Sequence, residues 1–99
     1  MKTFLINLDR EKARLSATDA QLKRLRIDYE RIPAVYGKTL PADVLHDAVD
    51  HFRWWCAIGW PVSPGQIGCA MSHYAIYRRM MYENIPVACV FEDDVLLAK

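Results

Sequence analysis

Val87-Ala88-Cys89-Val90-Phe91-Glu92-Asp93-Asp94 is the stretch that decides the fold: five apolar residues run without a break into three acids. A short, continuous apolar run is the pattern of a strand covered on both faces, as in a parallel sheet sandwiched between helices. In such sheets ligands bind beyond the carboxyl ends of the strands, so the acids stand where function is expected. Just upstream, Ser63-Pro64-Gly65-Gln66 forms a capping box. Ser63 can accept from the amide three residues on, Pro64 suits the first helical position, and Gln66 can reach back. Ile67, Met71, Tyr74, Tyr77 and Met81 then trace one expected apolar helix face, and Asn84 and Pro86 stop it.

Farther out, Thr3-Phe4-Leu5-Ile6-Asn7-Leu8 reads as a first buried strand, with Asp9 as the expected N-cap of a helix over 11–26. Leu15, Thr18, Leu22 and Leu25 mark that helix's inner face, and Lys23, Arg24 and Arg26 suit the negative end of its dipole. Tyr29-Glu30-Arg31-Ile32 is a short second strand ended by Pro33, Ala34–Gly37 is a loop, and residues 42–52 are expected to form a small helix. Strands alternating with helices predict an α/β sandwich with a mostly parallel sheet, in a single domain over residues 1–99.

Composition narrows the function. Of 99 residues, 53% are hydrophobic and 25% charged, an ordinary globular balance. Thirteen basic against twelve acidic residues give a net charge of +1, which argues against a nucleic-acid partner. No apolar run approaches the roughly 18 residues of a membrane span, and the N-terminal run broken by Asn7 is too short for a signal-peptide core. A cytoplasmic protein is expected. Cys56, Cys69 and Cys89 form no CxxC pair and are read as ordinary thiols of a reducing compartment.

Glu92-Asp93-Asp94 is the sharpest chemical signal. Alternate side chains of an extended chain share a face, so Glu92 and Asp94 are expected to point together and Asp93 away. Two carboxylates on one side suit a hard cation that also takes phosphate oxygens; a solvated acidic turn is the competing reading. Asn7, Asp9, Arg10 and, one helical turn on, Arg14 occupy the end of the first strand, where arginines can meet phosphates. His46-Asp47-Ala48-Val49-Asp50-His51 splits into two separate i,i+4 pairs on a helix and is read as a solvated face. Ser72-His73 is a weak catalytic pair, because neighbouring helix residues point about 100° apart, and no sequence feature places an acid beside His73. Gly65 and Gly68 permit close approach of backbone or ligand. Trp54, Trp55 and Trp60 are read first as packing residues.

Taken together, Phe4–Arg10, Arg14-Leu15, Arg31–Gly37, Gly65–His73, Ile85-Pro86 and Phe91–Val95 resemble glycosyltransferase family 25, the lipooligosaccharide (lipopolysaccharide) biosynthesis galactosyltransferases. The resemblance runs through nearly the whole chain, and it rests on the order and spacing of motifs that are each weak alone. It implies a GT-A-like (Rossmann-like) fold in truncated form, with a mostly parallel sheet flanked by helices. It also implies a UDP-sugar donor, typically UDP-galactose, a lipooligosaccharide acceptor, a divalent metal, usually Mn2+, and inversion at the sugar carbon. Carried over residue by residue, Asp94 and then Glu92 are the expected metal ligands. Asn7, Asp9, Arg10, Arg14, Tyr36, Gly37 and Asp93 are the expected donor-binding residues, and Gly68, Ser72 and His73 support the donor site. Tyr36 and Gln66 stand where relatives often carry acids. Relatives are considerably longer, so the acceptor side and the catalytic base are expected from outside these residues. Peripheral association with the inner membrane face and homo-oligomerisation complete the expected partners.

Two other readings compete. A noncatalytic α/β binding or assembly module would keep the fold, with a homodimer covering the open sheet edge. A phospho-receiver-like domain would need a lysine beyond a later strand, and only Lys99 follows the acids.

Overall fold

The computed structural model describes residues 1–47, 50, 54, 57–59, 62–94, 96 and 97. Their elements run β1 (Lys2–Asn7), α1 (Lys12–Arg24), β2 (Glu30–Pro33), a 3-10 turn (Gly37–Thr39), α2 (Ala42–Asp47), α3 (Pro64–Tyr82) and β3 (Ala88–Glu92). The sheet has three strands in the order β2-β1-β3, all parallel. This is the α/β, Rossmann-like arrangement expected from the alternation of elements. No helix among the described residues is long and apolar enough to cross a membrane.

Placing β1 in the centre explains its sequence. Thr3, Phe4, Leu5, Ile6 and Asn7 are all buried, because both faces are covered. Phe4 and Ile6 pack with Ile76 of α3, joined by Ile32, Met80, Ile85 and Val90 at the edge of the cluster. On the alternate face Leu5 is fully buried, as are Thr18 and Leu22 of α1. The flanking strands are less enclosed, and β2 lies at the edge of the sheet. An edge strand tolerates Pro33, which lies within β2 opposite Asn7 rather than ending the strand before it.

Both long helices end alike. Arg26 (φ 57°) and Asn84 (φ 54°) adopt left-handed backbone, and Ile27 and Ile85 donate back to the carbonyls of Leu22 and Met80. These are Schellman closures, each followed by an isoleucine. Asn84 suits that conformation; Arg26 takes it at a steric cost. The expected capping box of α3 is present in both directions, Gln66 N to Ser63 Oγ at 3.1 Å and Ser63 N to Gln66 Oε1 at 2.9 Å.

Two local expectations are corrected. Asp9 does not cap α1. Glu11 occupies that position without a side-chain cap, and Asp9 accepts instead from Arg31 at 2.6 Å. The apolar stripe expected on α3 coincides with its inner face only at Ile67. Tyr74, Tyr77 and Met81 are 61%, 55% and 79% exposed, whereas Ile67, Gly68, Ser72 and Ile76 are buried. Small residues face inward because α3 lies against backbone, and Trp54 and Val62 share a groove with the outer residues Met71, Tyr74 and Tyr77. At the far end of α3, Arg79 donates to both carboxylate oxygens of Glu30 and stands over the Phe4 ring, with Lys2 3.1 Å from Glu30. This ties α3 to the edge strand.

Candidate functional site

The chain leaves β1 to one side for β2, then returns to the other side as β3. The loops leaving β1 and β3 therefore diverge and open a crevice, the position at which α/β sheets bind ligands. A cavity of about 220 Å³ lies there. Its walls are Ile6 and Asn7 from β1 with Leu8 after it, Ala34–Lys38, Gly65, Cys69 and Ser72 of α3, and Glu92–Asp94.

The Ala34–Lys38 wall is set by three small residues. A Cβ on Gly68 would lie 2.5 Å from the Val35 carbonyl oxygen and 2.7 Å from the Gly37 nitrogen. A Cβ on Gly37 would lie 1.6 Å from the Pro64 oxygen. Only hydrogens fit where the loop crosses the first turns of α3. Ser72 Oγ accepts from Val35 N and donates to the Gly68 carbonyl, both at 2.8 Å. Gly37, Gly68 and Ser72 thus hold the loop rather than present reactive groups.

Asn7 is the hub on the α1 side. Only 2% exposed, its amide donates to Asp93 Oδ2 at 2.7 Å and to the Glu11 carbonyl at 3.0 Å. Its oxygen accepts from Arg31 Nε at 3.0 Å, and Arg31 also reaches the Asn7 carbonyl. Asp93 further has Arg14 at 3.9 Å, and its carbonyl accepts from Thr18. The Asp93 carboxylate is therefore engaged from within, although it lines the cavity. Arg10 does not line the cavity; it donates to the Tyr36 hydroxyl at 2.9 Å and lies over that ring. Asp9 and Arg14 also stand outside the cavity wall.

Glu92 points the other way, toward α3. Its Oε1 accepts from Cys69 Sγ at 3.2 Å and lies 3.5 Å from His73 Nε2. Burial, then the hydrogen bond to Glu92 and the charges of Glu92 and Asp94, push the Cys69 thiol up, so it stays protonated and donates. Asp94 is exposed and lines the same wall. Glu92 and Asp94 offer oxygen donors of the kind a hard divalent cation takes, and the oxygen atoms of a bound diphosphate would complete such a set. The residues present fit the expected metal.

Cys69, Lys38 and Arg31 are the site residues that sequence reading missed. Cys69 follows Gly65 and precedes His73 by one helical turn each, and those spacings were the available signal. The acid beside His73 was invisible because Glu92 arrives from another element. His46 Nδ1 lies 3.4 Å from its neighbour Asp47, and both side chains are more than 80% exposed, as on a solvated face; His51, Trp55, Trp60 and Cys56 lie outside the described residues.

The profile of the family described as glycosyltransferase family 25 (LPS biosynthesis protein) matches residues 1–99. Procollagen galactosyltransferase 1-A of Xenopus laevis is 36% identical over 102 residues, which cover 95% of this chain and 16% of that protein. A glycosyltransferase 25 family member of Aedes aegypti is 35% identical over 95 residues, covering 93% and 16%. Inactive glycosyltransferase 25 family member 3 of Mus musculus is 31% identical over 97 residues, covering 95% and 16%. The chain spans about one sixth of the length of these curated relatives.

Proposed function

From a chain that belongs to glycosyltransferase family 25, we propose a donor-binding role. The chain forms the nucleotide-sugar site of a transferase that moves a hexose, galactose foremost, from a UDP-sugar to a lipooligosaccharide acceptor. It works with metal assistance at the cytoplasmic face of the membrane. The observation that carries this reading is the cavity at the strand-order switch, with Glu92-Asp93-Asp94 at its rim. Galactose is supported by the printed name of the Xenopus relative, and the acceptor class by the family's description.

A bound divalent cation would neutralise the diphosphate and so stabilise UDP as leaving group. Glu92 and Asp94 would hold that cation. Lys38 and the amide-rich start of α3 at Gly65 add positive potential on the facing wall. Asp93 and Asn7 keep the β3 end in place, and Tyr36, steadied by Arg10, offers a ring against which a base or sugar can pack.

Calorimetric titration of UDP with and without Mn2+ tests the proposal. Binding is expected only with the metal and is lost in Asp94→Asn. Absence of binding to the folded protein refutes it. A noncatalytic binding role is the second reading, favoured by the similarity to a relative named inactive. It predicts the same UDP titration with no transfer of sugar from a UDP-sugar donor.

A further inference from the structure

One cluster at the cavity wall is used by the donor-site reading only through Glu92. Cys69, His73 and Glu92 each offer one ligand atom, and these atoms lie within 4.8 Å of one another. Cys69 and His73 are one helical turn apart on α3, so they share a face. Glu92 enters from the end of β3, opposite them.

We propose that Cys69, His73 and Glu92 form a binding site for a zinc-type divalent ion, with its open position toward the cavity. Bonds of about 2.0–2.3 Å in a tetrahedral set place ligand atoms about 3.3–3.8 Å apart. The observed separations are 3.2 Å from Cys69 Sγ to Glu92 Oε1 and 3.5 Å from His73 Nε2 to Glu92 Oε1. Both edges that meet at Glu92 are therefore close to such a set, and the remaining edge, between Cys69 and His73, lies within 4.8 Å, so side-chain rotation on α3 would close it. One sulfur, one imidazole nitrogen and one carboxylate oxygen select a borderline ion over Mg2+ or Mn2+, which prefer oxygen. Three protein ligands leave a fourth position for water or a phosphate oxygen. It faces the cavity because Cys69 and Glu92 line that wall. On binding, the thiol proton now donated to Glu92 leaves to solvent and the sulfur takes the metal as thiolate.

The site goes beyond the donor reading but shares Glu92 with it. A zinc ion held here withdraws one carboxylate from the proposed diphosphate metal, so zinc would compete with Mn2+-dependent UDP binding.

Cobalt(II) titration of the full chain, followed by the near-ultraviolet absorption of a thiolate–cobalt bond and by displacement with zinc, tests the proposal. One equivalent of cobalt is expected to give the thiolate band. Cys69→Ser removes it, whereas a Cys56→Ser/Cys89→Ser double variant and Asp94→Asn keep it. His73→Gln and Glu92→Gln weaken binding about tenfold or more. Circular dichroism of each variant reports folding. No thiolate band in the wild type, or a band that survives Cys69→Ser, overturns the site. Loss of the band in folded Asp94→Asn overturns it equally, since the ion would then belong to the acidic motif. Failure here with Mn2+-dependent UDP binding intact removes this site alone; the reverse pattern removes the donor reading and leaves this one.

Discussion

Gly68→Ala is the sharpest perturbation of the fold's link to its site. An added Cβ would meet the Val35 oxygen at 2.5 Å and the Gly37 nitrogen at 2.7 Å. Both are backbone atoms, so no flexible side chain can yield. Restoring an ordinary contact of 3.4 Å to the Val35 oxygen requires a shift of about 0.9 Å. That shift stretches the 2.8 Å bond from Val35 N to Ser72 Oγ, which contributes about 1 kcal/mol. Overpacking adds about 1–3 kcal/mol, and alanine's better helix propensity returns about 1 kcal/mol. The net expectation is destabilisation by about 1–3 kcal/mol. In urea, with a slope of about 1–1.5 kcal/mol/M, the midpoint should fall by about 0.7–3 M. Gly65→Ala is the control: its Cβ would meet only Ser63 Oγ at 3.9 Å, and stability should hold or rise. Because the displaced loop walls the cavity, Gly68→Ala should also weaken Mn2+-dependent UDP binding under conditions where the protein remains folded. A Gly68→Ala midpoint at or above the wild type would refute the close-approach argument.

Two further predictions concern the frame. Arg79, then Lys2, lowers the Glu30 carboxyl from 4.5 to about 2. A depressed acid contributes stability that is complete above pH 4.5 and is lost as pH falls toward 2. The melting-temperature gap between wild type and Glu30→Gln should therefore be constant near neutrality and shrink below pH 4.5; a gap independent of pH would show that the ion pair contributes nothing. Arg26→Gly should stabilise the chain by about 0.5–1 kcal/mol, since Arg26 carries φ 57° and glycine adopts that backbone without strain. Thermal unfolding checks this, and a lower melting temperature would mean that the Arg26 side chain contributes more than the strain removes.

The local chemistry of the chain was legible without coordinates. The continuous apolar run around Phe4 marks a strand covered on both faces, as β1 is, whereas the run around Val90, read as a second strand of that kind, forms a β3 that is only partly buried because it flanks β1 in the sheet. The alternation of elements requires a parallel sheet, and the Ser63–Gln66 box starts α3 where it was expected. These features depend on residues close in sequence. The strand-order switch, by contrast, depends on which side of β1 the third strand joins, and no local pattern encodes that. The inner face of α3 was misread for a related reason. Hydrophobicity pointed to Met71, Tyr74 and Tyr77, but the partner is the backbone of Val35–Gly37, and backbone contact selects Gly68 and Ser72. The site divides in the same way. The sequence determined that three acids end a buried strand, and alternation set Glu92 and Asp93 on opposite faces. Only the tertiary structure decided what meets them: Asn7 and Arg14 for Asp93, and Cys69 and His73 for Glu92. Those partners lie 19 to 86 residues away along the chain, and only the packing of α1 and α3 against the sheet brings them within bonding distance.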